Sequence, residues 1–261
     1  TRLLYAADRV AADHPHLSGA LATIADLTAQ PGRVSSRLAQ TCGAVTAKSV
    51  EDSIFYRTAR LLSAQEVGGD PANPSMSANE FHGINIARAR DWPAALTATS
   101  THDTKRSEDV RARIAMIAQV PGRWSILVRT VWRDAPPPEP LTGYFLLQNI
   151  IGVWPVDDAG VPVAVLDTAL RRRLRDYARK AAREGGIGTS WTAVDDGFET
   201  GLGIWINTVT TGQVAASISA FVGLIAPGWI QESLARKAIA VLGPGVPDIY
   251  QGTQWWDDSL V

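Results

Sequence analysis

Three short segments of this chain have the composition of buried β-strands, and helical patterns separate them. The predicted strands are residues 44–47, the stretch "WPAALTATS" at 92–100 and the stretch "VPDIY" at 246–250. Strands that alternate with helices are typical of a parallel sheet with helices packed outside it. Three strands can neither close a barrel nor bury both faces of an open sheet. The pattern therefore predicts either a sheet that further sequence completes or a mostly helical protein with a small sheet.

Helical patterns account for most of the remaining sequence. Helices are predicted in the first forty residues, across residues 78–90 and from Glu108 onward, where Val110 and Ile114 begin one apolar stripe. Beyond residue 122 the chain is almost wholly helical, interrupted by turns rich in proline and glycine. We predict three segments: 1–121 with two strands, 122–228 as a helical insertion, and 229–261 with the last helix and strand.

The charge balance gives no reason to expect nucleic acid or a membrane as a partner. The chain has 25 Lys and Arg residues against 26 Asp and Glu residues, a formal net charge of −1. In such a neutral chain the basic stretch at 171–183 is typical of a solvated helix. The uncharged run at 200–231 has the length of a membrane span, but Asn207, Pro227 and the turn "TTGQ" divide it. Because a bilayer requires a continuous apolar stretch, we interpret this run as buried helices.

Cysteine and histidine usage predicts neither a disulfide framework nor a metal centre. Cys42 is the only cysteine, and the four histidines have none of the compact spacings of metal ligand sets. The N-terminus carries no recognisable secretory leader. Together with the single cysteine, this predicts a reducing, cytoplasmic location.

His102 and Asp103 are the leading candidates for chemistry. They follow the predicted strand at 92–100, and active sites of α/β proteins collect at the carboxyl ends of strands. An aspartate there could equally cap the helix that follows. Metal-dependent phosphohydrolases also use a His-Asp pair, but on a continuous helix and with further ligands. The preceding "ALTATST" is poor helix sequence, and the other histidines have no matching partners.

Other charged and aromatic residues have both a functional and a structural interpretation. Lys48, Glu51 and Asp52 follow a predicted strand, where a solvated loop is common. Four basic residues after the His-Asp pair are interpreted as an exposed helix face rather than a phosphate site: Lys105, Arg106, Arg111 and Arg113. Most of the nine tryptophans are expected to pack in the core. The better candidates for platforms under a sugar ring are Trp92, Trp255 and Trp256.

Five stretches of the chain together resemble maltooligosyl trehalose synthase, a family of the alpha-amylase superfamily. They are "AVTAKSVEDSIFYR", "EVGGDP", "STHDTKRSEDVRAR", "GTSW" and "GPGVPDIYQGT", in that family's order and approximate spacing. The match extends over most of residues 38–261, and "THDTKRSEDVRAR" is its most specific part. Three residues depart from the family's pattern, which has glycine, asparagine and glutamate there: Ser49, Gln65 and Gln254.

The resemblance implies the C-terminal part of the (β/α)8 TIM barrel of that superfamily, an α/β fold. Residues 44–47 would form its sixth strand, "ALTATST" its seventh and "VPDIY" its eighth, with the helical insertion between the last two. This would account for a sheet with too few strands. The nucleophile and the acid/base carboxylate would come from strands four and five, upstream of Thr1. The chain alone would then lack both.

The implied reaction isomerises a maltooligosaccharide. The α-1,4 linkage at the reducing end becomes an α,α-1,1 linkage by retaining, intramolecular transglycosylation. Asp103 matches the family's third acidic residue and is expected to bind hydroxyls of the sugar in the −1 subsite, with His102 donating to a neighbouring hydroxyl. The released glucose must stay in the site, turn and attack through its anomeric hydroxyl. Four residues are predicted to hold it: Lys48, Glu51, Asp52 and Arg106.

The resemblance implies no metal and no organic cofactor. The expected partners are the maltooligosaccharide substrate, the upstream part of the same enzyme, and maltooligosyl trehalose trehalohydrolase as a functional partner. The alternative is a non-catalytic module derived from the same barrel, which would bind α-glucan or assemble with a companion chain.

Overall fold

The computed structural model describes residues 2–250 and 255–260. The chain divides into two compact units, Thr1–Val50 and Glu51–Val261. Most of the described residues are helical, which confirms the predicted predominance of helix. The predicted segment limits at residues 121 and 228 stay predictions.

The first unit consists of three helices, α1 (Arg2–Asp13), α2 (Ser18–Thr28) and α3 (Arg33–Thr46). α1 packs on α2, and α2 packs on α3. Ala25 is the only buried side chain among the residues whose burial is described in this unit. The prediction that the first forty residues are helical is confirmed.

The predicted strand at residues 44–47 is wrong. α3 runs through residue 46, and the chain continues as a π-helical segment, Ala47–Ile54, and a one-turn helix, α4 (Phe55–Arg57). Two of the four residues are alanine, which has the highest helix propensity, and Val45 is exposed rather than buried. A helix satisfies its backbone hydrogen bonds internally, whereas a strand needs a neighbour. The assignment of this segment to a sixth barrel strand is therefore not supported.

The sheet, within the described residues, is a parallel pair of strands, β1 (Leu96–Ala98) and β2 (Val246–Asp248). In this register Leu96 lies opposite Val246 and Ala98 lies opposite Asp248. The other two predicted strands are confirmed in position and parallel direction, although each is shorter than predicted. Their numbering as the seventh and eighth strands of a barrel stays a prediction.

The helix α5 (Ala78–Asp91) directly precedes β1, and six α-helices connect β1 to β2. The six are α6 (Glu108–Ala115), α7 (Pro121–Asp134), α8 (Pro140–Gly152), α9 (Thr168–Gly185), α10 (Asp196–Val209) and α11 (Gly212–Leu242). Side-chain oxygens cap the first turns of five helices, supplied by Ser77, Ser107, Glu139, Asp167 and Asp195. The helices predicted across residues 78–90 and from Glu108 are confirmed.

The core of the second unit lies around α8, which is buried nearly all round: six of the eight residues in "YFLLQNII" are apolar, and the amides of Gln148 and Asn149 are hydrogen-bonded. Leu147, Ile150 and Ile151 are fully buried, and α8 packs against α6 and α9. Each such side chain contributes about 1.5–3 kcal/mol by leaving water. This core fixes α6, the helix that follows the His-Asp pair.

α11 is the one described helix that is long and apolar enough to cross a membrane. A break at Thr210 and Thr211 separates it from α10, as the "TTGQ" turn predicts, but the helix runs through Pro227. Ile218 and Trp229, on one of its faces, are fully buried in the core of the second unit. This packing agrees with the interpretation of a buried helix.

Candidate active site

His102 and Asp103 lie in a tight turn between β1 and α6. The Thr104 hydroxyl donates to the Thr101 carbonyl (2.9 Å), and the Asp103 N–H donates to the Thr101 hydroxyl (3.2 Å). The helix cap is Ser107, whose hydroxyl accepts a hydrogen bond from an α6 backbone N–H. Asp103 is therefore not the cap of α6. Its carboxylate is 47% exposed, and His102 is exposed, so both side chains can meet a ligand.

Lys105 joins Asp103 to Asp52 of the preceding π-helical segment. Its ammonium lies 2.6 Å from one Asp52 oxygen and 3.4 Å from one Asp103 oxygen. Burial lowers the pKa of Lys105, but the hydrogen bond and charge of Asp52, together with the charge of Asp103, leave this pKa raised above its ordinary value. The lysine therefore stays charged at neutral pH. It supplies an anchor for Asp103 rather than a proton.

Glu66 holds the backbone that follows the turn. Its buried carboxylate accepts hydrogen bonds from the N–H groups of Lys105 (2.7 Å), Arg106 (3.0 Å) and Val67 (2.9 Å). The Arg106 guanidinium lies 3.7 Å from the same carboxylate. A charged acceptor of several backbone N–H groups makes strong hydrogen bonds. Glu66 thus fixes the loop two residues beyond Asp103.

Arg106 is buried and faces the interior. Its Nε donates to Asn149 of α8 (2.8 Å), its Nη1 donates to the Gln65 carbonyl (3.2 Å), and its guanidinium lies over the Phe145 ring (5.4 Å). Arg113 is also fully buried, against Trp229. The interpretation of these basic residues as an exposed helix face is therefore wrong for Lys105, Arg106 and Arg113. The segment crosses from the turn into the core, and buried acceptors replace water.

Known proteins resemble this chain in both sequence and fold. No protein-family model matches the chain. A putative maltooligosyl trehalose synthase of Mycobacterium tuberculosis is 45% identical over 247 residues, which is 95% of this chain and 32% of that protein. The solved maltooligosyltrehalose synthase of Arthrobacter ramosus is 37% identical with a TM-score of 0.85, over 99% of this chain and 33% of its own. The resemblance to maltooligosyl trehalose synthases is confirmed.

The likeness extends to more distant synthases, always over about a third of their length. A hypothetical maltooligosyl trehalose synthase of Sulfolobus tokodaii is 31% identical with a TM-score of 0.74, over 84% of this chain and 30% of that one. The chain thus spans about a third of the length of the synthases it matches.

The structure brings some of the predicted site residues together. Asp52, Asp103 and Arg106 are linked through Lys105 and Glu66, and Glu51 accepts from the Gly68 N–H (3.0 Å) beside Glu66. Lys48 belongs to the first unit, and its role stays a prediction. In the described part of the chain, no group of three or more His, Cys, Asp or Glu side chains is arranged to hold a metal ion.

The three residues that depart from the synthase pattern, Ser49, Gln65 and Gln254, lie in different parts of the chain. The Gln65 amide donates to the Thr58 hydroxyl, while its buried oxygen has no hydrogen-bond partner among the described residues. The Ser49 hydroxyl donates to the Val45 carbonyl (2.6 Å) within the helical segment. Gln254 lies outside the described residues.

Sequence reasoning did not identify Lys105 and Glu66 as residues that position the site. For Lys105, its place two residues after Asp103 is a signal that its side chain could reach the Asp103 carboxylate. For Glu66 the sequence gives no signal, because its partners lie about 40 residues further along the chain.

Proposed function

We propose that this chain is part of an enzyme that isomerises the reducing-end α-1,4 linkage of a maltooligosaccharide to an α,α-1,1 linkage. The observation that carries the proposal is the Asp103 carboxylate, half exposed at the carboxyl end of β1 and held by a buried lysine, in a chain whose relatives are synthases. The likeness to synthases does not favour the alternative of a non-catalytic glucan-binding or assembly module.

Asp103 has the properties that the third carboxylate of such a site needs. Retaining glycosyl transfer requires a nucleophile and an acid/base carboxylate about 5–5.5 Å apart. We place both in the two thirds of the enzyme that lie outside the matched segment. Asp103 then accepts hydrogen bonds from hydroxyls of the −1 sugar and favours its distorted, oxocarbenium-like geometry, while His102 donates to a neighbouring hydroxyl.

Intramolecular transfer also requires that the released glucose stays bound and water stays out. Lys48, Glu51 and Asp52 are proposed to hold this glucose. Arg106 is buried, and its contacts with Glu66 and Asn149 support an indirect part in the same task, through the position of the loop. The missing part of the enzyme is the partner that completes the site. A cytoplasmic location and a trehalohydrolase partner that consumes the product belong to the same proposal.

A graft tests the proposed function. The matched segment of the Arthrobacter ramosus synthase is replaced by this chain, which covers 33% of that enzyme. We expect the graft to consume reducing ends of maltopentaose with little release of glucose. A folded graft that leaves the reducing ends unchanged would contradict the proposal.

Lys105→Met in the graft should lower kcat by about 10²-fold, because Asp103 loses its anchor and a small misplacement of a site group has effects of that size. KM should change much less. Lys105→Arg, which keeps the charge, should recover part of the activity, whereas a purely structural lysine would show no such charge requirement. Lys180→Met on α9 is the matched control. An unchanged kcat in Lys105→Met would remove the positioning role.

Lys48→Ala in the graft should raise the amount of glucose released per linkage isomerised. A lysine that holds the released glucose prevents its exchange with water, so its loss shifts the reaction towards hydrolysis. Glucose and reducing ends are measured in the same reaction. An unchanged ratio would exclude Lys48 from this role.

A further inference from the structure

A polar groove lies between α9 and α10, and it shares no residue with the cluster around Asp103. It has a volume of about 580 Å³. Its charged lining residues are Arg175, Asp176, Arg179, Arg183, Asp196 and Glu199. Ligand sites in proteins range from about 300 to 1,000 Å³. The groove is therefore large enough for two or more sugar rings.

An exposed tryptophan adjoins this groove. The Arg183 guanidinium, which lines the groove, lies over the Trp191 ring, 5.2 Å from its centroid. Trp191 remains 56% exposed. The arginine fixes the ring through a cation–π contact and covers part of it. The remaining surface of the indole is open to a ligand.

The loop that carries Trp191 is held in place by its own hydrogen bonds. The Thr189 hydroxyl donates to Glu199 (2.8 Å) and accepts from the Asp195 N–H (3.0 Å). The Ser190 N–H donates to the Ala193 carbonyl (3.0 Å). In return, the Ala193 N–H donates to the Ser190 hydroxyl (2.9 Å). A large aromatic side chain on such a preorganised loop binds a ligand with little loss of conformational entropy.

A glycine makes the turn possible. Gly188 has a φ of +71°, and a Cβ at this position would lie 2.7 Å from the Phe198 ring of α10. The backbone conformation and the close approach both exclude a side chain here. The loop is thereby pressed onto α10 at one edge of the groove.

The charges of the groove are balanced. Arg183 makes two hydrogen bonds to Glu199 (2.7 and 2.9 Å), and Arg179 lies 3.2 Å from the same carboxylate. The hydrogen bond from Arg183 is the main cause of the lowered pKa of Glu199. Three arginines face three carboxylates around the groove, so it has no excess charge to attract an anion. Such alternating donors and acceptors suit a neutral ligand rich in hydroxyl groups.

We propose that this groove and Trp191 form a second, non-catalytic binding site for an α-glucan chain. The apolar face of one glucose ring stacks on the indole, and hydroxyls of neighbouring rings exchange hydrogen bonds with the arginines and carboxylates. The choice of an α-glucan rests on the proposed function; the groove itself points to a neutral oligosaccharide. The site would hold the sugar chain on the enzyme while the reducing end reacts elsewhere.

Titration of the chain itself with maltopentaose tests the site. Indole N–H signals are followed by NMR, and the signal of Trp191 is identified by its loss in Trp191→Ala. We expect this signal to shift on binding, and Trp191→Ala to weaken the affinity roughly tenfold, with part of it kept in Trp191→Phe. Tyr5→Ala, which removes another exposed aromatic ring with an arginine over it, should leave the affinity unchanged.

Several results would overturn the site: no binding by the unchanged chain, equal affinity in Trp191→Ala, or inorganic phosphate shifting the Trp191 signal and displacing the sugar. Thermal unfolding shows whether each variant is folded, and Trp191→Ala should unfold like the unchanged chain because the side chain is exposed.

The graft distinguishes the failure of this second site from the failure of the proposed function. An active graft with no effect of Trp191→Ala on binding removes the second site alone, whereas an inactive graft with binding through Trp191 removes the proposed reaction alone.

Discussion

Asp103→Asn should lower the turnover of the graft by about 10³-fold while the protein remains folded. Asparagine has nearly the same size, but it replaces a charged acceptor with a neutral amide. Loss of one preorganised electrostatic contact to a transition state lowers kcat by about 10²–10³-fold. Lys105 also loses one of its two carboxylates, so the turn loses part of its anchor. The lost charge and the weakened anchor both act on the side chain at position 103.

The measurement is kcat on maltopentaose together with the unfolding midpoint of each variant. Asp103 is half exposed, so its replacement should change stability by less than about 1 kcal/mol. Asp91→Asn, at an exposed Arg90–Asp91 pair, is the matched control and should keep full activity. Turnover retained in Asp103→Asn would contradict the assignment of this residue to the site.

Glu66→Gln should lower the free energy of unfolding of the chain by about 3 kcal/mol, since removal of one partner from a buried charge pair has effects of about 3–5 kcal/mol. The carboxylate accepts from the backbone N–H groups of Lys105 and Arg106 through different oxygens. A glutamine must turn its NH2 group towards one of these donors, which leaves that donor unsatisfied. Arg106 also loses its nearest negative charge.

Urea unfolding of the chain measures this effect, and Glu232→Gln is its control. Glu232 is a half-exposed partner of Arg236 one helical turn away, and such pairs contribute about 0.3–0.5 kcal/mol. A loss below about 1 kcal/mol in Glu66→Gln would show that the carboxylate does not hold the loop. A graft that carries Glu66→Gln should also lose activity, because the same contacts position Asp103.

The parts of the fold that were predictable rest on local signals. The apolar stripe that begins with Val110 and Ile114 defines α6 within the sequence itself. The two strands flanked by turns at 92–100 and 246–250 were also recognisable, and their parallel pairing follows from the helices between them. The same approach fails at residues 44–47. There, a short run of small residues is compatible with either structure, and the helix that precedes it decides the outcome.

The site was predictable only in part. The position of Asp103 after a strand follows from its neighbours in sequence, whereas only the structure shows that it does not cap α6, since Ser107 does. The burial of Lys105, Arg106 and Arg113 depends on acceptors far away in the chain, such as Asn149 and the Trp154 carbonyl. A run of charges is usually a solvated face, and only the tertiary structure shows that these acceptors replace water.

The most direct test of the central claim, that this chain supplies one wall of an isomerising glycosyl-transfer site, is the identity of the product. The graft is incubated with maltopentaose, and the anomeric protons are recorded by NMR. The account predicts a new α,α-1,1 signal that grows as the reducing-end signals disappear, with the number of glucose units in the chain conserved. Shortened chains and free glucose, or an unchanged spectrum from a folded graft, would contradict it.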